Sequence, residues 1–396
     1  MKRVLVVTYG GGHVAAMIPL LKRLKNNNRF QLEIIGLTTA KKKLIDEGLT
    51  CKGSGEVFSS NDEKLFKIIN KVIEPNQHPE IDIEDAIAYH AMGINDLILK
   101  FGEEKGTQIA LEKGRFGYLP IYSAEKYLLK NKVDFLITGT CPRTELAFQK
   151  ASNRIGIESL AIADNFLFKE LDYICQHDYS KNLSVITKKV ATQVKKNGYL
   201  GNIYVLGNPS FDNLFEEKYI LEAKEYRKKL NLRKRDRLIM WAAHPPNAHI
   251  YSGRKHVNTV SILNSLTNYC KRNKNTKFLV RQHPNSNLLS PNTKFEYGYL
   301  CSTKISIETA LHSIDQLVVE SSTVGIQAAI IGKPVITLWH NGYPPYEENG
   351  LSKDISDLNQ LHKELDKKQI PDLSKFSYPM HKSSSELLEE IVLKLT

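Results

Sequence analysis

KRVLVVTYGGGHVAAMIPLLKRL, residues 2–24, joins two kinds of segment through three glycines. Lys2 to Thr8 is an apolar run rich in Val, and from Val14 to Leu24 the apolar residues return at helical spacing. A β-rich run follows at Leu32 to Leu37. Strand, glycine turn, helix and strand in that order open a doubly wound α/β sheet. Further along, Gly48 ends a helix around Lys41 to Glu47, and Asp62 to Lys130 reads as mostly helical. Its apolar residues fall three and four apart in Leu65-Ile68-Ile69-Val72 and in Ala86-Ile87-His90-Ile94-Leu97, so the stretch is expected to be an insertion. Val133 to Ile137 resumes the sheet, with a helix at Glu145 to Asn153 and a strand at Glu158 to Ala163.

The second half repeats the scheme. Leu238 to Ala242, Lys277 to Arg281, Gln316 to Val319 and Pro334 to Leu338 read as strands, with helices at His256 to Arg272, Ile307 to His312 and Gly325 to Ile331. Two Rossmann-like halves follow, joined near Tyr204-Val-Leu-Gly-Asn-Pro-Ser-Phe-Asp212, where an apolar strand meets a turn that continues neither element. The expected division is an N-terminal domain over 1–206 with a helical insertion at about 62–130, a C-terminal domain over 207–380, and a last helix in 381–396 that crosses back to the first domain.

The 396 residues suffice for two ordinary domains, and 41% hydrophobic with 25% charged residues is a globular composition. Apolar runs fall far short of the roughly 20 residues that span a bilayer. Without the apolar core of a secretory signal after Met1, the chain is expected in the cytoplasm. Five scattered cysteines without a C-x-x-C pair speak against a disulfide framework or a zinc site. A net charge of +12 attracts polyanions, anionic lipid or acidic small molecules alike. The basic run Tyr226 to Arg237 lacks the interleaved aromatics of a single-strand platform, so nucleic acid is not an expected partner.

Ligands of open α/β sheets bind beyond the carboxyl ends of the strands. After the first strand, Gly11 and Gly12 allow close backbone approach at a helix start, and His13 can act as a base or in a capping or positioning role. After the strand ending at Ile137, Thr138-Gly-Thr-Cys-Pro-Arg-Thr-Glu145 is dense in hydroxyls. Its Arg143 can hold an anion or pair with Asp134, and Thr144 can be an N-cap. Asp164 follows the next strand as a general base or a cap, and the base lies among His13, Glu145 and Asp164. In the second half the strand ends carry His244 and Asn247, then His283 before Pro284, then Ser321, Ser322 and Thr323 at a helix start. Together these describe a nucleotide phosphate pocket.

At this point the chain resembles the GT-B superfamily, which joins nucleotide-sugar glycosyltransferases and UDP-N-acetylglucosamine 2-epimerases. Leu206-Gly-Asn-Pro209 looks like its interdomain motif, and Val324-Gly-Ile-Gln-Ala-Ala-Ile-Ile-Gly-Lys-Pro-Val335 like its nucleotide-binding helix and Gly-Lys-Pro turn. The resemblance implies an α/β, GT-B enzyme whose two Rossmann-like domains face a central cleft, with Asn208 among the donor-binding residues. Ala328 and Ala329 stand where the epimerases carry an acidic pair, and Gly139-Thr-Cys141 replaces their Gly-Asp-Thr turn. The His283-Pro284 and Ser321-Ser322 pairs are similar to those of bacterial transferases that use CMP-activated nonulosonic acids, and CDP-glycerol-type transferases share such features. The acidic pair and glycine that serve as base in those families are matched only by Asp46-Glu47-Gly48, which reads as a helix terminus.

The expectation is a metal-independent, inverting glycosyltransferase of bacterial surface polysaccharide synthesis. It would move a sugar from a nucleotide-sugar donor, expected from the resemblance to be a CMP-nonulosonic acid and itself a substrate, to a glycan or lipid-linked glycan acceptor. No cofactor is expected, and the positive charge favours peripheral contact with the inner membrane face. The alternative is a UDP-sugar transferase or epimerase-like enzyme.

Overall fold

Every strand pairing among the described residues is parallel, and the strands fall into two six-stranded sheets. The computed structural model describes residues 1–60, 62–73, 78–244, 258–283, 286, 288–320, 322–338, 346–376, 378–379 and 382–396. The chain forms two units, Met1–Asp212 with Pro379–Thr396, and Asn213–Tyr378.

In the first unit the strands are β1 (Lys2–Thr8), β2 (Phe30–Gly36), β3 (Phe135–Thr138), β4 (Glu158–Ile162), β5 (Asn182–Val185) and β6 (Asn202–Val205), in the order β2-β1-β3-β4-β5-β6. Successive side chains of a strand point to opposite faces, so β1 feeds two cores. Val4 and Val6 pack with Met17, Leu20 and Leu24 of the helix Gly12–Lys25. Leu5 and Val7 pack instead with Tyr89, Met92 and Leu97 of the helix Ile83–Phe101 and with Phe148. Burial on both faces is why β1 reads as an unbroken apolar run. Between β2 and β3 lie the helices Ser54–Val57, Glu63–Val72, Ile83–Phe101, Glu103–Lys113 and Ile121–Lys130.

β5 carries no unbroken apolar run because Asn182 and Ser184 are buried in it, and the Asn182 amide is paired across the sheet. The Asn182 amide, wholly buried, donates to Glu158 Oε1 at 2.6 Å and to the Ser159 carbonyl at 3.0 Å. The turn Asp46-Glu47-Gly48 does end the helix Ala40–Asp46, with Gly48 at φ 74°.

The last helix, Ser384–Leu395, belongs to the first unit. Asp212 fixes its start by accepting the N–H groups of Ser384 (2.8 Å) and Ser385 (2.9 Å), and the Ser383 hydroxyl caps the Glu386 N–H. Leu388 and Val392 enter the core of Met17 and Leu24, while Arg23 Nε donates to Glu389 at 2.7 Å.

The second unit repeats the pattern with β7 (Arg237–Ala242), β8 (Thr276–Arg281), β9 (Gly298–Leu300), β10 (Gln316–Val319), β11 (Val335–Leu338) and β12 (Lys353–Ile355), ordered β12-β11-β10-β7-β8-β9. Ile239, Trp241, Phe278 and Val318 form a core with Ile262, Leu266, Leu361 and Leu365. The strand order reverses between β1 and β3 in one sheet and between β7 and β10 in the other. These are the switch points at which such sheets bind ligands. No helix among the described residues is long and apolar enough to cross a membrane.

Leu388 is 0% exposed, so Leu388→Ala is expected to lower the stability of the first unit by about 2–5 kcal/mol through cavity formation. Urea unfolding followed by circular dichroism would measure it.

Candidate active site

The loops that leave β1 and β3 meet at the first switch point, and one carboxylate holds them together. Glu145, in the first turn of the helix Thr144–Arg154, is wholly buried. Its Oε1 accepts the Tyr9 N–H and its Oε2 the Cys141 N–H, both at 2.7 Å. Burial pushes its pKa up, partly offset by His13 and the two amides. A β-carbon on Gly139 would come within 2.7 Å of Oε2 and 3.1 Å of His13 Nδ1, so a glycine is needed there.

His13 and Asp164 arrive from the two loops that flank this brace. His13 Nδ1 lies 3.7 Å from Asp164 Oδ1 and makes no hydrogen bond. Burial works against its protonation, but the charges of Asp164 and Glu145 outweigh burial and hold its pKa well above the ordinary 6.5. His13 is therefore an imidazolium at neutral pH. The Asp164 carboxylate approaches the backbone so closely that a β-carbon on Gly12 would meet Oδ2 at 2.5 Å. Gly11, at φ 71°, is the N-cap of the helix Gly12–Lys25, with no side chain capping the free N–H groups.

Asp164 caps no helix; its side-chain hydrogen bond is to the neighbouring amide, with Asn165 Nδ2 donating to Oδ1 at 3.1 Å. Asn208 is 2% exposed and its amide is engaged inside the protein. Nδ2 donates to the Asp164 carbonyl at 3.0 Å, while Oδ1 accepts the N–H and the hydroxyl of Ser210. The Gly-Asn-Pro turn thus positions the loop that presents Asp164.

Arg143 does not pair with Asp134, whose carboxylate accepts the Arg3 N–H at 2.8 Å. Its guanidinium lies over the rings of Tyr9 (5.4 Å) and Phe116 (5.7 Å), and Nε is buried without a partner. Thr144 is not the N-cap either, since Arg143 holds that place. The Thr144 hydroxyl sits 3.2 Å from the Tyr9 hydroxyl, which also bonds to Tyr89. Thr38, Arg143 and Leu167, in the loops after β2, β3 and β4, have φ of 54°, 77° and 56°. Strain of this kind collects at functional loops.

In the second unit His244 follows β7 and His283 follows β8. Burial and the nearby charge of His244 hold His283 below its ordinary pKa, so it is neutral at pH 7. Ser322 caps the helix Thr323–Ile330, its hydroxyl accepting the Val324 N–H at 3.4 Å, and its carbonyl accepts the Tyr346 hydroxyl at 2.6 Å. Thr323 is exposed as the first helical residue. Asn247, Pro284 and Ser321 lie outside the described residues. Lys333 of the Gly-Lys-Pro turn donates to the Ile314 carbonyl at 2.7 Å, at the amino end of β11 and away from these strand ends.

No protein-family model matches the chain, and no curated protein matches it. Solved structures do. UDP-GlcNAc 2-epimerase from Methanocaldococcus jannaschii aligns over 99% of this chain and 100% of its own, with a TM-score of 0.62 at 13% identity. The Neisseria meningitidis UDP-GlcNAc 2-epimerase bound to UDP-GlcNAc gives 0.60 at 14% over 99% and 100%. The glycosyltransferase SnogD from Streptomyces nogalater gives 0.54 at 11% over 100% of both chains. The fold is GT-B.

Within this GT-B chain, Gly11, Gly12, His13, Arg143, Glu145, Asp164 and Asn208 belong to the first unit, and His244, His283, Ser322 and Thr323 to the second. Ala328 and Ala329 are wholly buried in the helix that starts at Thr323. Sequence reading missed Glu170, whose pKa burial raises and whose Oε1 lies 3.5 Å from Asn165 Nδ2, and Tyr173, whose hydroxyl donates to the Thr140 carbonyl. Neither sits in a motif; only the loop that returns past Asp164 brings them near.

Replacing Glu145 by Gln sets an amide N–H₂ against a backbone N–H. Glu145→Gln is expected to cost about 1–3 kcal/mol in chemical unfolding. The raised pKa of His13 makes a second expectation: its stabilisation is complete below the unfolded value of about 6.5 and is lost as pH rises through the higher folded value. Urea midpoints of the wild type should fall relative to those of His13→Gln as pH is raised from 6 to 9.

Proposed function

We propose that the chain is a glycosyltransferase that moves a sugar from a nucleotide-activated donor, a CMP-linked nonulosonic acid, to a hydroxyl of a glycan or lipid-linked glycan acceptor, with inversion. The observation that carries this reading is the Asp164 carboxylate, set against Gly12 at the first switch point beside an imidazolium.

Of the three candidate bases, Glu145 already has both oxygens on backbone amides, and a protonated His13 has no lone pair to offer. These contacts favour Asp164 as the proposed base. In the proposed step Asp164 takes the acceptor proton as that oxygen attacks the anomeric carbon and the bond to the donor phosphate breaks. His13, 3.7 Å away, orients the Asp164 carboxyl group before the transfer. In the second unit, His244, His283, Ser322 and the N–H groups that open the helix at Thr323 are the proposed holders of the donor phosphate, with no divalent ion required, and Ser321, outside the described residues, is a further candidate. Gly11 and Gly12 would let the donor approach the first unit's backbone.

The second reading is an epimerase-like enzyme acting on a UDP-sugar, favoured by the likeness to structures of UDP-GlcNAc 2-epimerases. Against it, Ala328 and Ala329 offer no carboxylate to a nucleotide ribose.

Thermal unfolding with CMP, CDP, UDP, GDP and dTDP tests the donor. A saturating ligand at 100 times its Kd stabilises by about 2.7 kcal/mol. CMP is expected to raise the melting temperature, whereas a rise with UDP alone would move the chain to the second reading. Asp164→Asn should keep the nucleotide shift and lower turnover by about 10²–10⁴.

A further inference from the structure

Two guanidinium groups of the first unit meet on one exposed ring. Phe116, in the turn Gly114–Gly117 at the end of the helical insertion, is 64% exposed. Arg143 lies 5.7 Å from its centroid and Arg115 5.3 Å. Neither forms an ion pair with a carboxylate among the described residues, unlike Arg23, Arg154, Arg227 and Arg233. Besides its contact with Tyr9, Arg143 makes a 3.9 Å approach to Cys141 Sγ, and its Nε is buried without a partner. In the same loop the Thr140 hydroxyl is buried and unpartnered, in a residue 1% exposed.

The ring attracts each guanidinium, but the two like charges repel each other, and an anion that joins them relieves that repulsion. The rings of Tyr9 and Phe116 restrain the Arg143 side chain, so less freedom is lost when its planar fork takes a carboxylate. Its backbone, at φ 77°, holds it at the mouth of the loop that carries Glu145. The chain's net charge of +12 adds a field that draws in an extended anion.

We infer that Arg115, Arg143 and Phe116 form an acceptor subsite for an acidic glycan, with the two guanidinium groups receiving sugar carboxylates. This rests on the transferase reading and gives it a substrate class: the growing chain contains uronic or other carboxylated sugars. It gives Arg143, which the sequence offers as a holder of an anion, a place on the acceptor side.

Isothermal titration of the full chain with a hyaluronan hexasaccharide, which carries carboxylates, and with neutral chitohexaose tests the subsite. The acidic oligosaccharide is expected to bind and the neutral one to bind at least about tenfold more weakly. Arg143→Gln and Arg115→Gln should each weaken the acidic ligand by about tenfold, as expected for loss of a charge-assisted contact. Lys229→Gln, in the basic run of the second unit, should change nothing. The CMP-induced rise in melting temperature should persist in every variant. Arg115 is exposed, so its variant keeps the test alive if Arg143→Gln fails to fold. Equal binding of both oligosaccharides, equal weakening by Lys229→Gln, or loss of the CMP response in Arg143→Gln would each overturn the inference. Failure of the transferase reading looks different: no sugar transfer to any acceptor, with the charge-selective binding intact.

Discussion

Two 2.7 Å hydrogen bonds from the backbone to the Glu145 carboxylate determine how the first unit is arranged around its switch point. They tie the loop after β1 to the loop after β3, which the chain separates by more than a hundred residues. A buried carboxylate without such donors would be neutral and its loops free to part. With them in place, Gly139 must be glycine, His13 is held within reach of Asp164, and Arg143 is forced into a backbone conformation that side chains rarely adopt. The site's polar groups are ordered from below, by a residue that need not touch a substrate.

The two units treat histidine in opposite ways. His13 is surrounded by carboxylates and keeps its proton, whereas His283 faces burial and a second histidine and gives its proton up. A cationic imidazole suits a place where a neighbouring carboxylate must stay ionised. A neutral one offers a single N–H donor and needs no counter-ion. The same side chain serves two electrostatic purposes because desolvation and neighbouring charge act on it with opposite signs.

Much of the fold was legible because parallel strands buried on both faces leave unmistakable apolar runs. Lys2–Thr8 and Gln316–Val319 were bounded correctly from the residues alone. β5 was not, since Asn182 is stabilised by hydrogen bonds across the sheet that no local pattern records. At the site, placing function just after the strands located His13, Glu145 and Asp164, yet their roles depended on distances. Glu145 looked like a base until both its oxygens were found on amides. Arg143 looked like a partner for Asp134 until that carboxylate was found on Arg3. Glu170 and Phe116 left no trace in the sequence because only the folded loops bring Glu170 to Asn165 and Phe116 to Arg143.

The return of the last helix to the first unit has a consequence for how the molecule is made. Leu388 and Val392 complete a core begun by Val4 and Met17, so the first unit is assembled from both ends of the chain. On the ribosome those early residues emerge long before their final partners. The whole of the second unit, by contrast, has been synthesised before the last helix leaves the exit tunnel. The unit that begins first is thus completed only after the second unit has been made, and until the helix Ser384–Leu395 follows it presents an uncovered apolar face on the helix Gly12–Lys25. Shielding that face during synthesis is a task the native structure no longer reveals.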